Sequence, residues 1–271
     1  ARMKPPTFPS HPAPAVFGQL WKLDPKKAIE AARLNARLIG RMISDLGVTI
    51  DCAPMLDVPQ IDSDKTVIGD RAIATHPDQI AALGCATIDG LIEGGALPVI
   101  KHLPGHGRAT VDSHYALPRV VASKRDLRET DFVPFKALKD APIGMTAHVV
   151  YEAFDPDDCG TMSKTIIEGV IRGEIGFDGL LLSDDLKMQA LGGPVGARVR
   201  DCLAAGVDIA CCCNFSMAEK LEAATSAPML AGRALARAGA ALAAAPRAVL
   251  RGDTAGDYER LAGLIKPALV A

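Results

Sequence analysis

The sequence lacks several features that would narrow its function at once. It has no long run of one charge: 30 Lys and Arg stand against 32 Asp and Glu, for a formal net charge of -2. No electrostatic footprint for nucleic acid or an anionic membrane is therefore present. No apolar run has membrane length and no secretory leader is visible, so a cytoplasmic location is expected. The seven cysteines are an odd number with no metal-ligand spacing. Cys211, Cys212 and Cys213, in "DIACCCN", read as small buried hydrophobes in a reducing compartment. An initiator methionine is also missing. The chain opens on Ala1 with the proline-rich "ARMKPPTFPSHPAPAVFG", which reads as a processed chain or a fragment of a longer one.

Against these absences stands an ordinary globular composition, 271 residues with 49% hydrophobic and 23% charged. That is enough for a sizeable core. Residues 24 to 47 have the pattern of a helix, with Asp24 as N-cap, Pro25 in the first turn and Gly47 at the left-handed end. Ile29, Ala32, Ala36, Ile39, Ile43 and Leu46 form its apolar stripe. "VTIDCAPMLDV" reads as a buried strand running into a loop, and "HPDQIAALGCATIDGLIEGG" as a second helix. "LPVIKHLPG", "IGMTAHVVY", "DGLLLSDDL" and "VDIACCCN" are further short apolar strands. Between and after them come predicted helices: "SKTIIEGVIRGEIG" capped by Ser163, residues 195 to 205, a helix with a Ser216–Glu219 capping box, and the alanine-rich stretch to residue 245.

Strands alternating with helices, the strands continuously apolar, imply a parallel sheet covered on both faces. A barrel and an open doubly wound sheet share that pattern. Polar groups at the ends of many different strands favour the barrel: Asp57 after "APML", Lys101 and His102 after "PVI", His148 after "MTA", Asp184 after "LLLS". About five strands are evident where a complete (β/α)8 barrel needs eight.

The densest chemistry lies in "KHLPGHGRATVDSHYALP", residues 101 to 118, which holds three of the six histidines. His102 and His106 have helical metal-ligand spacing, but Pro104, Gly105 and Gly107 break any helix there and the spacing loses that meaning. Asp112 and His114, two apart, could hydrogen-bond in a turn, fixing one imidazole nitrogen and freeing the other for proton transfer. The same three residues would serve equally as an Asp capping a turn beside an exposed His. The glycines of "PGHG" would let the loop move over a substrate. In "SDDL", Asp184 and Asp185 should point different ways, one into the barrel mouth and one capping the next segment. A buried carboxylate near Lys101 and Arg71 would stay ionised, as a nucleophile must.

Taken together, "KHLPGHG", "DSH", "APMLDV", "VIGDRA", "MTAHVVYEAFDP" and "FDGLLLSDDLKM" resemble glycoside hydrolase family 3 over most of the chain. They are most similar to its bacterial cytosolic β-N-acetylglucosaminidases. The resemblance implies a TIM-type (β/α)8 barrel, residues 1–271 forming one domain. It implies a retaining exo-β-N-acetylglucosaminidase that releases N-acetylglucosamine from peptidoglycan-derived muropeptides. Asp184 would be the nucleophile and His114, paired with Asp112, the acid/base. Arg71, Lys101 and His102 would hold the sugar hydroxyls, and Asp57 would be a pocket carboxylate. His106 would belong to the loop structure, and His148 to either the pocket or the strand end. Arg2 matches the last arginine of the family's "DQEGGRV-R" strand end, whose upstream part is absent. The barrel is thus expected to lack its N-terminal strands, with sheet edges and core opened unless another segment fills the gap. The implied chemistry needs no metal or organic cofactor, and the partner would be a small saccharide, the protein a monomer or weak oligomer. A family 3 hydrolase of another sugar, such as a β-glucosidase, or an inactive sugar-binding remnant are the alternatives.

Overall fold

The computed structural model describes residues 3–60, 68–109, 117–188, 191–245 and 252–270. Six strands run through it: β1 (Ile50–Asp51), β2 (Leu97–Leu103), β3 (Arg119–Val120), β4 (Ile143–Thr146), β5 (Val150–Tyr151) and β6 (Leu180–Leu182). Four of them form one sheet in the order β1–β2–β4–β6, every pair parallel. A single parallel bridge from Met55 to Lys101 lengthens the β1–β2 pairing, and one from Leu182 to Ile209 widens the arc beyond β6. Spatial order follows chain order throughout and never reverses. A doubly wound sheet needs a reversal at its switch point; winding in one direction is the arc of a TIM-type α/β barrel. Strands β3 and β5 make a separate two-stranded parallel ladder.

Four of the five expected strands form, at β1, β2, β4 and β6, and the fifth is reduced to a single bridge. In "VTIDCAPMLDV" only β1 and the Met55 bridge pair, because Pro54 between them has no N–H to give to a ladder. "VDIACCCN" pairs only at Ile209. Beyond it the N–H groups of Cys211 and Cys213 turn to side chains, the Ser183 hydroxyl and the Asp185 carboxylate, instead of a neighbouring strand.

Three helices begin the chain's helical layer: α1 (Ala15–Leu23), α2 (Pro25–Ser44) and α3 (Pro77–Gly94). The Asp24 side chain accepts from the N–H groups of Lys26 and Lys27, both at 3.1 Å, as the cap pattern predicts. Of the expected apolar stripe, Ala32, Ala36 and Ile43 are buried, whereas Ile29 is 38% exposed and Leu46, beyond the helix end, 53%. Ala28, Ala31 and Leu38 complete the buried face. Backbone proximity explains why small residues dominate it. A Cβ placed on Gly90 would sit 2.2 Å from the Arg33 carbonyl oxygen, and one on Gly94 2.3 Å from that of Arg37. Helices this close accept alanine and glycine at the contact and exclude leucine or isoleucine.

Strands β2, β4 and β6 are buried on both faces. Ile100, Leu103 and Leu181 join a large core with Phe177 and with Ile166, Ile167, Val170 and Ile171. The last four come from a wide-turned π-helix, Thr165–Ile175, whose start is capped by Ser163 as expected. Leu97, Val99, Ile143, Met145 and Leu180 face the other way, onto Ala241. The alanine-rich helix Gly232–Ala243 thus covers part of the surface that an opened barrel was expected to expose. Helix Met217–Ser226 carries the predicted capping box. Helix Thr254–Val270, absent from the sequence reading, packs Leu261, Ile265 and Ala268 beside Phe17, Leu20 and Ala28. Among the described residues, no helix is long and apolar enough to cross a membrane.

Candidate active site

The C-terminal ends of the parallel strands bring together Asp57, Lys101, His102, His148 and Asp184. Asp57, just beyond the Met55 bridge, is fully buried and acts as the hub. Its Oδ1 accepts from the backbone N–H of His102 at 3.2 Å and of His106 at 2.6 Å. Its Oδ2 accepts from His102 Nδ1 at 2.7 Å. Burial by itself would raise the Asp57 pKa; the adjoining His102 and His106 and their hydrogen bonds outweigh it and hold the carboxyl below its ordinary value. The geometry settles the His102 tautomer on the Asp57 side: Nδ1 carries the proton it donates. Its other nitrogen, Nε2, is left 3.9 Å from Asp184 Oδ2.

Asp184 and Asp185 diverge, as alternation along a strand end requires. Asp184 faces His102, and its Oδ1 accepts from the Asp185 N–H at 2.8 Å. Burial pushes its pKa up, but His102, His148, the Asp185 N–H and Lys101 together hold it below the usual value. The Asp185 carboxylate turns away and accepts from the N–H groups of Lys187 and Cys213. It pins the Asp184 loop to the segment after Ile209.

His148 is satisfied at the strand end. Its Nε2 donates to the Asp185 carbonyl at 3.1 Å, and its Nδ1 lies 2.7 Å from the Thr161 hydroxyl. Thr161 in turn donates to the Ala147 carbonyl at 3.2 Å and lies 2.8 Å from the Thr146 hydroxyl. Burial lowers the His148 pKa, with the Asp184 charge opposing it. This buried relay orients the Asp185 carbonyl and through it the backbone beside Asp184.

The "PGHG" turn is tied down at two points. Tyr151 donates its hydroxyl proton to the Gly105 carbonyl at 2.8 Å. A Cβ on Gly107 would fall 2.0 Å from the Val58 carbonyl oxygen. Glycine at 107 permits this close packing, and the loop that follows, expected to move over a substrate, lies outside the described residues. His106 is buried, its ring 5.5 Å from that of His102. Burial and the neighbouring His102 lower its pKa to about 4. Immediately after, Arg108 donates through Nε to Asp131 Oδ2 at 2.8 Å. Asp131 is 1% exposed, and burial, only partly countered by Arg108, raises its carboxyl to about 6. Asp131 lies in the helical "RETDF" stretch with no local feature to single it out; only the fold sets it against Gly105. Thr146 and Thr161 are equally hidden in the sequence, since their roles depend on partners far along the chain; of Asp185, the divergence from Asp184 is expected and the bond to Cys213 is not.

Arg71 is exposed on the short turn Gly69–Arg71 and shares no hydrogen bond or ion pair with the histidine–carboxylate cluster. A cleft of about 1110 Å³ borders this turn, lined by Gln19, Lys22, Asp70, Thr75 and Glu129 among others. Asp57, His102 and Asp184 are not among its lining residues. Asp112 and His114, and Arg2, fall outside the described residues.

Residues 6–238 match the family model described as the glycosyl hydrolase family 3 N terminal domain. A β-hexosaminidase of Alkalilimnicola ehrlichii is 37% identical over 211 residues, 76% of this chain and 60% of that protein. One from Chromobacterium violaceum is 36% identical over 212 residues, 76% of this chain and 58% of that protein. The chain thus spans about 60% of the length of the curated relatives it matches. The crystal structure of NagZ from Neisseria gonorrhoeae superimposes with a TM-score of 0.81 at 28% identity, covering 94% of this chain and 76% of that one. The same protein has been solved in complex with N-trifluoroacetyl-D-glucosamine. The chain belongs to glycosyl hydrolase family 3.

Proposed function

We propose that this member of glycosyl hydrolase family 3 is a retaining exo-β-N-acetylglucosaminidase that acts in the cytoplasm on muropeptides derived from peptidoglycan. The β-hexosaminidase relatives, and the neighbour solved with an N-acetylglucosamine analogue, support the sugar. The observation that carries the reading is the geometry at the strand ends. A half-buried carboxylate, Asp184, is held below its usual pKa beside an imidazole that a fully buried carboxylate, Asp57, holds in place.

In the proposed reaction the sugar binds over Asp184, with Lys101, His102, Arg71 and Arg2 on its hydroxyls. Asp184 attacks the anomeric carbon. Protonated His114, supported by Asp112, gives its proton to the glycosidic oxygen as that bond breaks. The products of this step are the free leaving group and a covalent glycosyl-aspartate. His114, now neutral, takes a proton from water, whose oxygen attacks the same carbon from the opposite face and releases Asp184. Two displacements leave the configuration retained. Retaining glycosidases usually set two carboxyl groups about 5–5.5 Å apart; here an imidazole takes one of the two roles and alternates between acid and base.

A fluorinated N-acetylglucosaminide that traps the intermediate tests the proposal directly. The label is expected on Asp184, with a chromogenic β-N-acetylglucosaminide hydrolysed and the matching glucoside poorly. Label on another residue, or release with inverted configuration, would overturn the mechanism. Binding of sugar with no turnover of either substrate would make the chain a sugar-binding remnant.

A further inference from the structure

The cysteine run after Ile209 takes no part in the reaction proposed above, yet three hydrogen bonds tie it to the loop that carries Asp184. The Cys211 N–H donates to Ser183 Oγ at 2.8 Å, and the Leu186 N–H to the Cys211 carbonyl at 3.0 Å. The Cys213 N–H donates to Asp185 Oδ1 at 3.0 Å. Asp184 lies inside the segment held by these bonds. Side chains two residues apart in an extended stretch share a side, and the sulfurs of Cys211 and Cys213 lie 3.6 Å apart. Cys212, between them, turns toward the main core. Cys213 is exposed and Cys211 half-buried. Burial and the nearby Cys213 sulfur push the Cys211 thiol well up, so it keeps its proton and offers its S–H to Cys213.

We propose that Cys211 and Cys213 form a redox-active dithiol whose oxidation to a disulfide displaces the Asp184 loop and turns the site off. The loss of turnover rests on the assignment of Asp184 above; the dithiol itself does not. The oxidant is a low-molecular-weight disulfide. The Cys213 thiolate attacks one of its sulfurs, forming a mixed disulfide and expelling one thiolate. Cys211 then loses its proton and attacks the Cys213 sulfur, expelling the second. Two protein thiols become one disulfide, and one small disulfide becomes two thiols. Closing the bond draws the sulfurs from 3.6 Å to about 2.05 Å, a movement of roughly 1.5 Å within the segment whose backbone holds Leu186 and Asp185.

The test is titration of the chain with glutathione disulfide, followed by peptide mapping, amide hydrogen exchange and turnover of the chromogenic N-acetylglucosaminide. The expected result is a bridge within the Cys211–Cys213 peptide. Cys212→Ser should form it and Cys211→Ser and Cys213→Ser should not. Exchange at the Leu186 and Cys213 amides should accelerate on oxidation. Turnover should fall by about tenfold or more and return with dithiothreitol, since sub-ångström to ångström misplacement of a reacting group has effects of that size or larger. No bridge, a bridge between other cysteines, or a Cys211–Cys213 bridge that leaves both exchange and turnover unmoved would overturn the proposal. Absence of turnover in the fully reduced protein would count against the proposed glycosidase, while mapping and exchange would still decide the dithiol.

Discussion

Strand β6 has an ionic cluster near each of its ends, and the two are built on opposite principles. Near the N-terminal end, Asp208 has both oxygens engaged. Oδ2 accepts from Arg172 and from the Leu181 N–H, and Oδ1 from Arg237. Arg172 uses another nitrogen to donate to the Phe177 and Gly179 carbonyls. Near the C-terminal end, Asp184 Oδ2 has, among the described residues, the His102 nitrogen near it at 3.9 Å. The first cluster engages both oxygens of its carboxylate and holds the chain in place. The second leaves one oxygen of a charged group without a close hydrogen bond among the described residues, which is what a nucleophile needs and what stability alone would not retain.

Asp184→Ala should show the contrast most strongly. Turnover should fall by about 10⁴-fold or more, with the thermal midpoint unchanged or raised. A stability loss as large as that at Asp208 would erase the distinction. Next in size, Asp208→Ala and Asp57→Ala should each cost about 3–5 kcal/mol in denaturant unfolding, since each strands buried partners. They should differ in function: folded Asp208→Ala should keep its turnover, whereas Asp57→Ala should lose it, because His102 is no longer held. Thr161→Val should cost less, about 1–3 kcal/mol, by leaving His148 Nδ1 unpaired in the core.

The smallest effect is read from pH. His106, lowered to about 4, and His148, also lowered, bind protons more weakly folded than unfolded. Their contribution is present above the unfolded histidine value and is lost as pH falls below it, for His106 down to about 4. Asp131, raised to about 6, has the opposite sign. Folded, it keeps its proton where the unfolded chain has released it, so its contribution is lost as pH rises from about 4 to 6. The terms oppose each other in that window. Asp131→Asn should unmask the histidines, and the unfolding midpoint should then climb more steeply with pH, by up to about 1.4 kcal/mol per unit for each histidine. A slope unchanged by the substitution would show that Asp131 does not titrate there.

Much of this was visible before any coordinates. Asp24, Ser163 and Ser216 announce their helices because a cap acts on N–H groups two or three residues away. The divergence of Asp184 and Asp185 follows from strand alternation alone. What the sequence misses has a physical origin too. The buried face of α2 reaches beyond the expected stripe to Ala28, Ala31 and Leu38, because the partner helix brings glycines to the contact. Gly107 is small because the Val58 backbone passes beside it, which no local pattern shows. The burial of His106 likewise has no local sign.

By itself the amino-acid sequence determined the order of strands and helices, their caps and which strand ends carry ionisable groups, since these depend on neighbours within a turn or two. Only the tertiary structure decided which of those groups meet. Asp57 and His102 lie 45 residues apart, and His102 and Asp184 come from different strands. Their protonation depends on burial and on one another's charge, and no stretch of chain short enough to read locally contains both partners.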